Sequence, residues 1–135
     1  MTKLPLKYSS RKEEITLEFI DQVNRHIDSI LEGHSDTMYE IKHIAAIMCI
    51  HPVHLSTTIK METGKSPCYF FEKRIMDESK RLLSDSKMSI AQIAALLTFD
   101  PSNFTKFFKR FENKTPSEYR NQFTAAKTGN SIQIN

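Results

Sequence analysis

Ser102, Asn103, Lys106, Lys109 and Arg110 have the types and the spacing to recognise a polyanion that also displays hydrogen-bonding edges. With Phe104 set at zero on a helical wheel of about 100° per residue, all five fall on the side opposite it. Phe107, Phe108 and Phe111 fall within about 60° of Phe104. The aromatic face is the anchor and the short, polar, cationic face is the front. Asn pairs well with adenine and Lys with guanine in the major groove of B-DNA, which admits a helix. Lys109 and Arg110, with Lys114 further on, suit phosphate.

The same arrangement occurs earlier, at a constant offset of 49 residues and without a gap. The stretch Ile44–Pro67 (IAAIMCIHPVHLSTTIKMETGKSP) matches Ile93–Pro116 (IAALLTFDPSNFTKFFKRFENKTP) in its Ile-Ala-Ala start, its turn proline (Pro52, Pro101), two lysines (Lys60/Lys109, Lys65/Lys114) and its closing proline. Leu55 and Ile59 take the places of Phe104 and Phe108. Val53, Ser56 and Thr57 then form the front of the first copy, with Lys60 and Lys65 available for phosphate. Val can touch a thymine methyl, and Ser and Thr hydrogen-bond many bases, so the second copy carries the stronger base-reading chemistry. Two copies are too few for a solenoid; they read as one functional unit used twice.

These fronts need elements to hold them, and the apolar spacing predicts helices throughout, about seven, with no strand pattern. The first spans about 13–31, with Phe19, Val23, Ile27 and Ile30 (or Leu31) as its stripe and Gly33 as its stop. Asp36 or Thr37 is placed to cap a helix over about 38–48 that buries Ile41, Ile44, Ala45 and Met48. His51-Pro52 restarts a helix that Gly64 ends, and Ser66-Pro67 opens a long connector to about Asp85. Ser89 caps a helix over 90–97, and Thr115-Pro116-Ser117-Glu118 opens the last, with Tyr119 and Phe123. The expected organisation is a flexible lead-in (1–12), a first helix-turn-helix subdomain (13–65), a linker helix (66–85), a second such subdomain (86–123) and a flexible tail (124–135).

The net charge of +3 is modest, but residues 1–50 carry six Lys/Arg against eight Asp/Glu, and residues 51–135 thirteen against eight. The positive excess thus lies in the half holding both fronts, as a polyanion partner requires. No apolar run approaches the ~20 residues that span a bilayer, and the first residues lack the apolar core of a secretory signal. With only Cys49 and Cys68, no disulfide framework is expected and the compartment reads as reducing, hence cytoplasmic. Cys49, His51 and His54 have the order C-x-H-x2-H, but no fourth ligand has suitable spacing, so neither metal nor cofactor is expected. Carboxylates such as Asp77 and Glu78 sit on the linker helix without a nucleophile or base, and no Gly-rich phosphate loop occurs. An enzyme is therefore not expected. The stripe of the first helix has two readings, a seat for a partner protein or a second copy, as in a protein-interaction module, and packing within its own domain; the second is preferred, leaving a monomer or weak dimer.

The stretch SIAQIAALLTFDPSNFTKFFKRFENKTPSEYR, together with HLSTTIKMETGKSP and the linker KRIMDESKRLL, resembles the DNA-binding domain of AraC/XylS-family transcriptional regulators. The resemblance covers about 19–123. It implies an all-α, homeodomain-like fold in which two helix-turn-helix subdomains, joined by a long helix, place their recognition helices in successive major grooves of double-stranded DNA. It puts base contacts at Val53, Ser56 and Thr57 and at Ser102, Asn103 and Lys106. It also implies transcription regulation, usually activation, with RNA polymerase as a further partner. The chain is then either a free-standing regulator or the DNA-binding output end of a longer sensor. Three features depart from the family pattern. Cys49 and Thr98 stand where the turn usually has Gly. The second turn is one residue shorter. The first front lacks the usual Arg or Gln.

Overall fold

The computed structural model describes residues 10–124. Among them the secondary structure is helical only: α1 (Arg11–Leu31), α2 (Ile41–Ile47), α3 (Pro52–Thr63), α4 (Pro67–Asp85), α5 (Ile90–Leu96), α6 (Pro101–Glu112) and α7 (116–124). The seven-helix, all-α expectation holds. Most of the expected lead-in and tail lies outside the described residues.

α1 begins two residues before its predicted start. Ser10 is the reason: its hydroxyl accepts the Glu13 N–H at 3.0 Å while the Glu13 carboxylate accepts the Ser10 N–H at 3.1 Å. That reciprocal box satisfies two N–H groups a bare helix start would leave unpaired. α2 is shorter than predicted, and neither Asp36 nor Thr37 caps it. Glu40 holds the cap position, and its N–H donates to His43 Nδ1 at 2.8 Å.

The chain divides into two compact units between Arg74 and Ile75, inside α4. In the first, α1 packs on α2 and α3. Ile15, Phe19, Val23, Ile27 and Ile30 of α1 are buried, as are Ile44 and Ala45 of α2 and Leu55 and Ile59 of α3. Ile41 is only half-buried, against expectation. Phe19 meets Phe70 and Phe71 edge to face at 6.1 and 6.3 Å, which ties the start of α4 to α1. Arg74 adds a polar tie, donating to the Asn24 side chain at 2.9 Å and to Asp28. The loop into α2 is held by His26, whose buried Nε2 accepts the Tyr39 N–H at 2.9 Å while its ring stacks on Tyr39 at 3.9 Å.

In the second unit α5 packs on α6. Ile93, Ala94, Leu97, Phe104 and Phe108 are fully buried, with Leu82 and Leu83 of α4 also inside. Buried Ser79 satisfies its hydroxyl by donating to the Ile75 carbonyl at 2.7 Å. Thr115 and Glu118 box the start of α7 at 2.8 and 3.1 Å. From α7, Arg120 reaches three carbonyls at the end of α4: Leu83 at 3.0 Å, Leu82 at 3.4 Å and Ser86 at 3.3 Å. Leu83 is among the carbonyls a helix end leaves unpaired, whereas the Leu82 carbonyl also accepts the Ser86 N–H at 3.1 Å.

Candidate nucleic-acid interface

Each unit contains the same two-helix device. α2 and α3 meet at 99°, within the range typical of a helix-turn-helix. The turn closes by two hydrogen bonds, Cys49 N–H to the Ala46 carbonyl at 3.1 Å and Ile50 N–H to the Ala45 carbonyl at 3.0 Å. At the 49-residue offset, Thr98 N–H donates to Ala95 at 3.0 Å and Phe99 N–H to Ala94 at 2.7 Å. This paired pattern requires a left-handed residue after the helix, and Cys49 (φ 58°) and Thr98 (φ 68°) adopt it without being glycine. At both turns a residue with a side chain is therefore held in the conformation that glycine adopts without penalty. The helices that follow also end alike, at Gly64 (φ 76°) and, 49 residues on, at Asn113 (φ 62°).

The front of α3 bears Val53, 67% exposed, with Thr57 and Lys60 also exposed and Ser56 half-buried. Behind them Leu55, Thr58 and Ile59 are buried. Lys65 lies past the helix end with its ammonium 5.1 Å from the Tyr69 ring. On α6, Ser102, Asn103, Lys106 and Lys109 are exposed. The aromatic anchor is narrower than the wheel suggests. Phe104 and Phe108 are fully buried, Phe107 is half-buried, and Phe111 is 43% exposed. The last two run with Phe99 in a ladder of 5.0 Å ring contacts. Arg110 lies over that ladder, its guanidinium 4.8 Å from the Phe111 ring. Lys114 is half-buried. Lys109 and Lys114 lie near Glu118, whose carboxyl is held below its usual range first by the Thr115 N–H, then by the Thr115 hydroxyl and these lysines.

Two residues at the helix starts escaped the sequence reading. Asp100 caps α6: its Oδ2 accepts the Ser102 N–H at 3.2 Å and the Ser102 hydroxyl at 2.8 Å. The Ser102 hydroxyl, the Asn103 and Ser102 N–H groups and nearby Lys106 hold its carboxyl below the ordinary range, so it stays ionised. His51 does the corresponding job for α3, its Nδ1 accepting the Val53 N–H at 3.1 Å. The signal was present in the sequence, because a polar residue directly before a first-turn proline occupies the N-cap position. That cap gives His51 a role that needs no metal. No group of three or more metal-ligating side chains occurs among the described residues. Cys49 and Cys68 are free and exposed. No single described helix is long and apolar enough to cross a membrane.

Residues 44–122 match the helix-turn-helix domain family of AraC type. An uncharacterised transcriptional regulator of this helix-turn-helix type from Bacillus subtilis, YobQ, is 30% identical over 98 residues, covering 72% of this chain and 41% of that protein. The arabinose operon regulatory protein of Escherichia coli is 30% identical over 87 residues, 64% of this chain and 30% of that one. Histidine kinase P4 of Formosa agariphila is 25% identical over 129 residues, 90% of this chain and 9% of the kinase. The chain thus spans less than half the length of these curated relatives. Among solved structures, the C-terminal domain of AraT, a response regulator from Geobacillus stearothermophilus, superposes with a TM-score of 0.72 at 24% identity, over 84% of this chain and 88% of that one. The DNA-binding domain of AdpA, solved in complex with a target DNA, gives 0.66 at 19% identity, over 81% and 96%. These two likenesses concern the fold.

Proposed function

The chain belongs to the AraC-type helix-turn-helix family of DNA-binding transcriptional regulators, and from that premise we propose that it reads double-stranded DNA in sequence-specific fashion through α3 and α6, each entering a major groove, in successive turns of the duplex. The base-reading groups are Val53, Ser56 and Thr57 on α3 and Ser102, Asn103 and Lys106 on α6. Lys60, Lys65, Lys109, Arg110 and Lys114 neutralise phosphates. The observation that carries this reading is the twofold occurrence of one device: a left-handed turn at Cys49 and at Thr98, each followed by a helix with a buried back and an exposed polar front. A structural bundle has no need of two such fronts.

The lysines divide by role. Lys106 sits mid-front, where a side chain reaches base edges, and Lys109 lies near the helix end, where phosphates pass. Arg110 is held over Phe111, which fixes the direction of its charge. The regulator acts in the cytoplasm as a monomer or weak dimer and activates transcription by touching RNA polymerase. A second form of the same reading, in which this chain is the output end of a longer sensor, is favoured by its match to 9% of a histidine kinase.

Selection from a random duplex library tests the proposal. The intact chain is expected to enrich a defined sequence. Lys106→Ala should lose specific affinity and relax one position. Lys109→Ala should weaken binding to all sequences alike and lower the slope of log affinity against log salt by about one. Enrichment of nothing beyond the input distribution contradicts the reading.

A further inference from the structure

The two reading helices begin with residues of opposite hydrogen-bonding polarity. Asp100 and His51 are counterparts at the 49-residue offset, and each caps its helix through a side-chain acceptor. What each has left to show differs. His51 spends Nδ1 on the Val53 N–H; a neutral imidazole so used carries its hydrogen on Nε2 and presents a donor. Asp100 has no donor at all. It also takes the one donor of its neighbour, because the Ser102 hydroxyl gives its hydrogen to Asp100 Oδ2 at 2.8 Å. Ser102 Oγ is thereby left with lone pairs to offer. An ionised carboxylate has about four lone-pair sites; two Ser102 hydrogens and the Asn103 N–H leave it room for a further donor. The exposed tip of α6 is an acceptor surface, although Ser102 by residue type reads as indifferent.

In the major groove the base donors are the exocyclic amino groups, N4 of cytosine and N6 of adenine; guanine and thymine present acceptors there. We propose that Asp100, acting with Ser102, is a specificity-determining residue: the pair selects a base bearing an exocyclic amino group at the tip of α6 and rejects one presenting only acceptors. This deepens, and rests on, the reading of α6 as a base-reading helix. The rejection is the stronger half, since a carbonyl edge facing the carboxylate leaves both partners unpaired and like in sign. The position follows from helix geometry. Lys106, a donor-only side chain suited to guanine, lies four residues beyond Ser102, about 6 Å along the axis. With α6 lying along the groove and base pairs spaced by about 3.4 Å, we place the amino-bearing base about two base pairs from the one that Lys106 reads.

Asp100→Asn tests the pair with little cost to the helix, because Asn caps as well as Asp. Its amide oxygen takes over the cap and its NH2 turns a donor toward the base. Random duplex selection is run on the intact wild-type chain, Asp100→Asn, Ser102→Ala and Lys106→Ala. The Lys106-dependent position is the one whose preference disappears in Lys106→Ala. Wild type is expected to enrich cytosine or adenine about two base pairs from it, on the strand that carries the guanine read by Lys106. Asp100→Asn should reduce that preference by roughly 5- to 20-fold and admit guanine or thymine, and Ser102→Ala should reduce it by a smaller factor. Thermal unfolding of both variants close to wild type excludes a folding defect. A specific wild-type pool that Asp100→Asn and Ser102→Ala leave unchanged, or one with guanine or thymine there on that same strand, overturns the pair while leaving base reading by α6 intact. A wild-type pool with no preference overturns both.

Discussion

Replacing Thr98 by glycine should stabilise the protein, although it removes a side chain. Thr98 holds φ 68° so that its own N–H and that of Phe99 can close the turn on Ala95 and Ala94. A residue with a Cβ in the left-handed region costs about 1–2 kcal/mol, and a β-branched one is a true outlier there. Glycine removes that cost but loses about 0.5–1 kcal/mol more backbone entropy on folding. The net gain is about 0.5–1 kcal/mol, which raises the melting temperature of a unit of this size by roughly 2–8 °C. Thr98→Ala separates the causes, since it removes the branch and keeps the Cβ, and its gain should be smaller. Thermal unfolding followed by circular dichroism gives the shift. Because two units can unfold separately, amide exchange at Phe99 and Phe104 assigns the gain to the second unit. Melting of Thr98→Gly at or below the wild-type temperature would refute the strain argument, and with it the view that the family's usual glycine is replaced here at a cost.

Acid should loosen the first unit in a defined window. Burial, and secondarily the charge of His43, lowers the His26 pKa below its ordinary 6.5. Between the two values the unfolded chain binds the extra proton, so stability is complete above about pH 6.5 and declines as pH falls through the folded-state value, by at most about 1.4 kcal/mol per pH unit. Urea unfolding at stepped pH should show this slope, and His26→Gln should flatten it. Arg120→Ala should destabilise the second unit by about 1.5–3 kcal/mol, since charge-assisted hydrogen bonds to the Leu82, Leu83 and Ser86 carbonyls are lost together. Loss of exchange protection at the end of α4, with α3 unaffected, is the measurement.

What the sequence made legible was whatever repeats or is periodic. The backs of α3 and α6 follow from the spacing of Leu55 and Ile59 and of Phe104 and Phe108, all fully buried. The turns follow from the Ile-Ala-Ala and proline positions at a constant offset. What was missed depends on partners that periodicity does not encode. The start of α1 is set by a reciprocal bond between Ser10 and Glu13. The entry to α2 is set by His26, thirteen residues before the Tyr39 N–H that it accepts. Phe111 fits the wheel yet lies at the surface, because a stripe wider than the facing helix runs out of neighbours; Arg110 covers its ring instead.

The same distinction bears on recognition. A wheel assigns Ser102 to the front and leaves its hydrogen undecided; the bond to Asp100 decides it. It says nothing of Asp100 and His51, which precede their helices. Yet these two residues differ in chemistry between the duplicated halves while sharing one structural duty. Each cap needs an acceptor aimed at the helix start, and here a carboxylate and an imidazole each supply one. The backbone therefore places no constraint on what the rest of the side chain shows to a groove. With buried backs and turns held alike, the helix starts are positions at which one half can change its polarity without changing its fold, and a reader built from two copies of one device can in this way address two unlike half-sites.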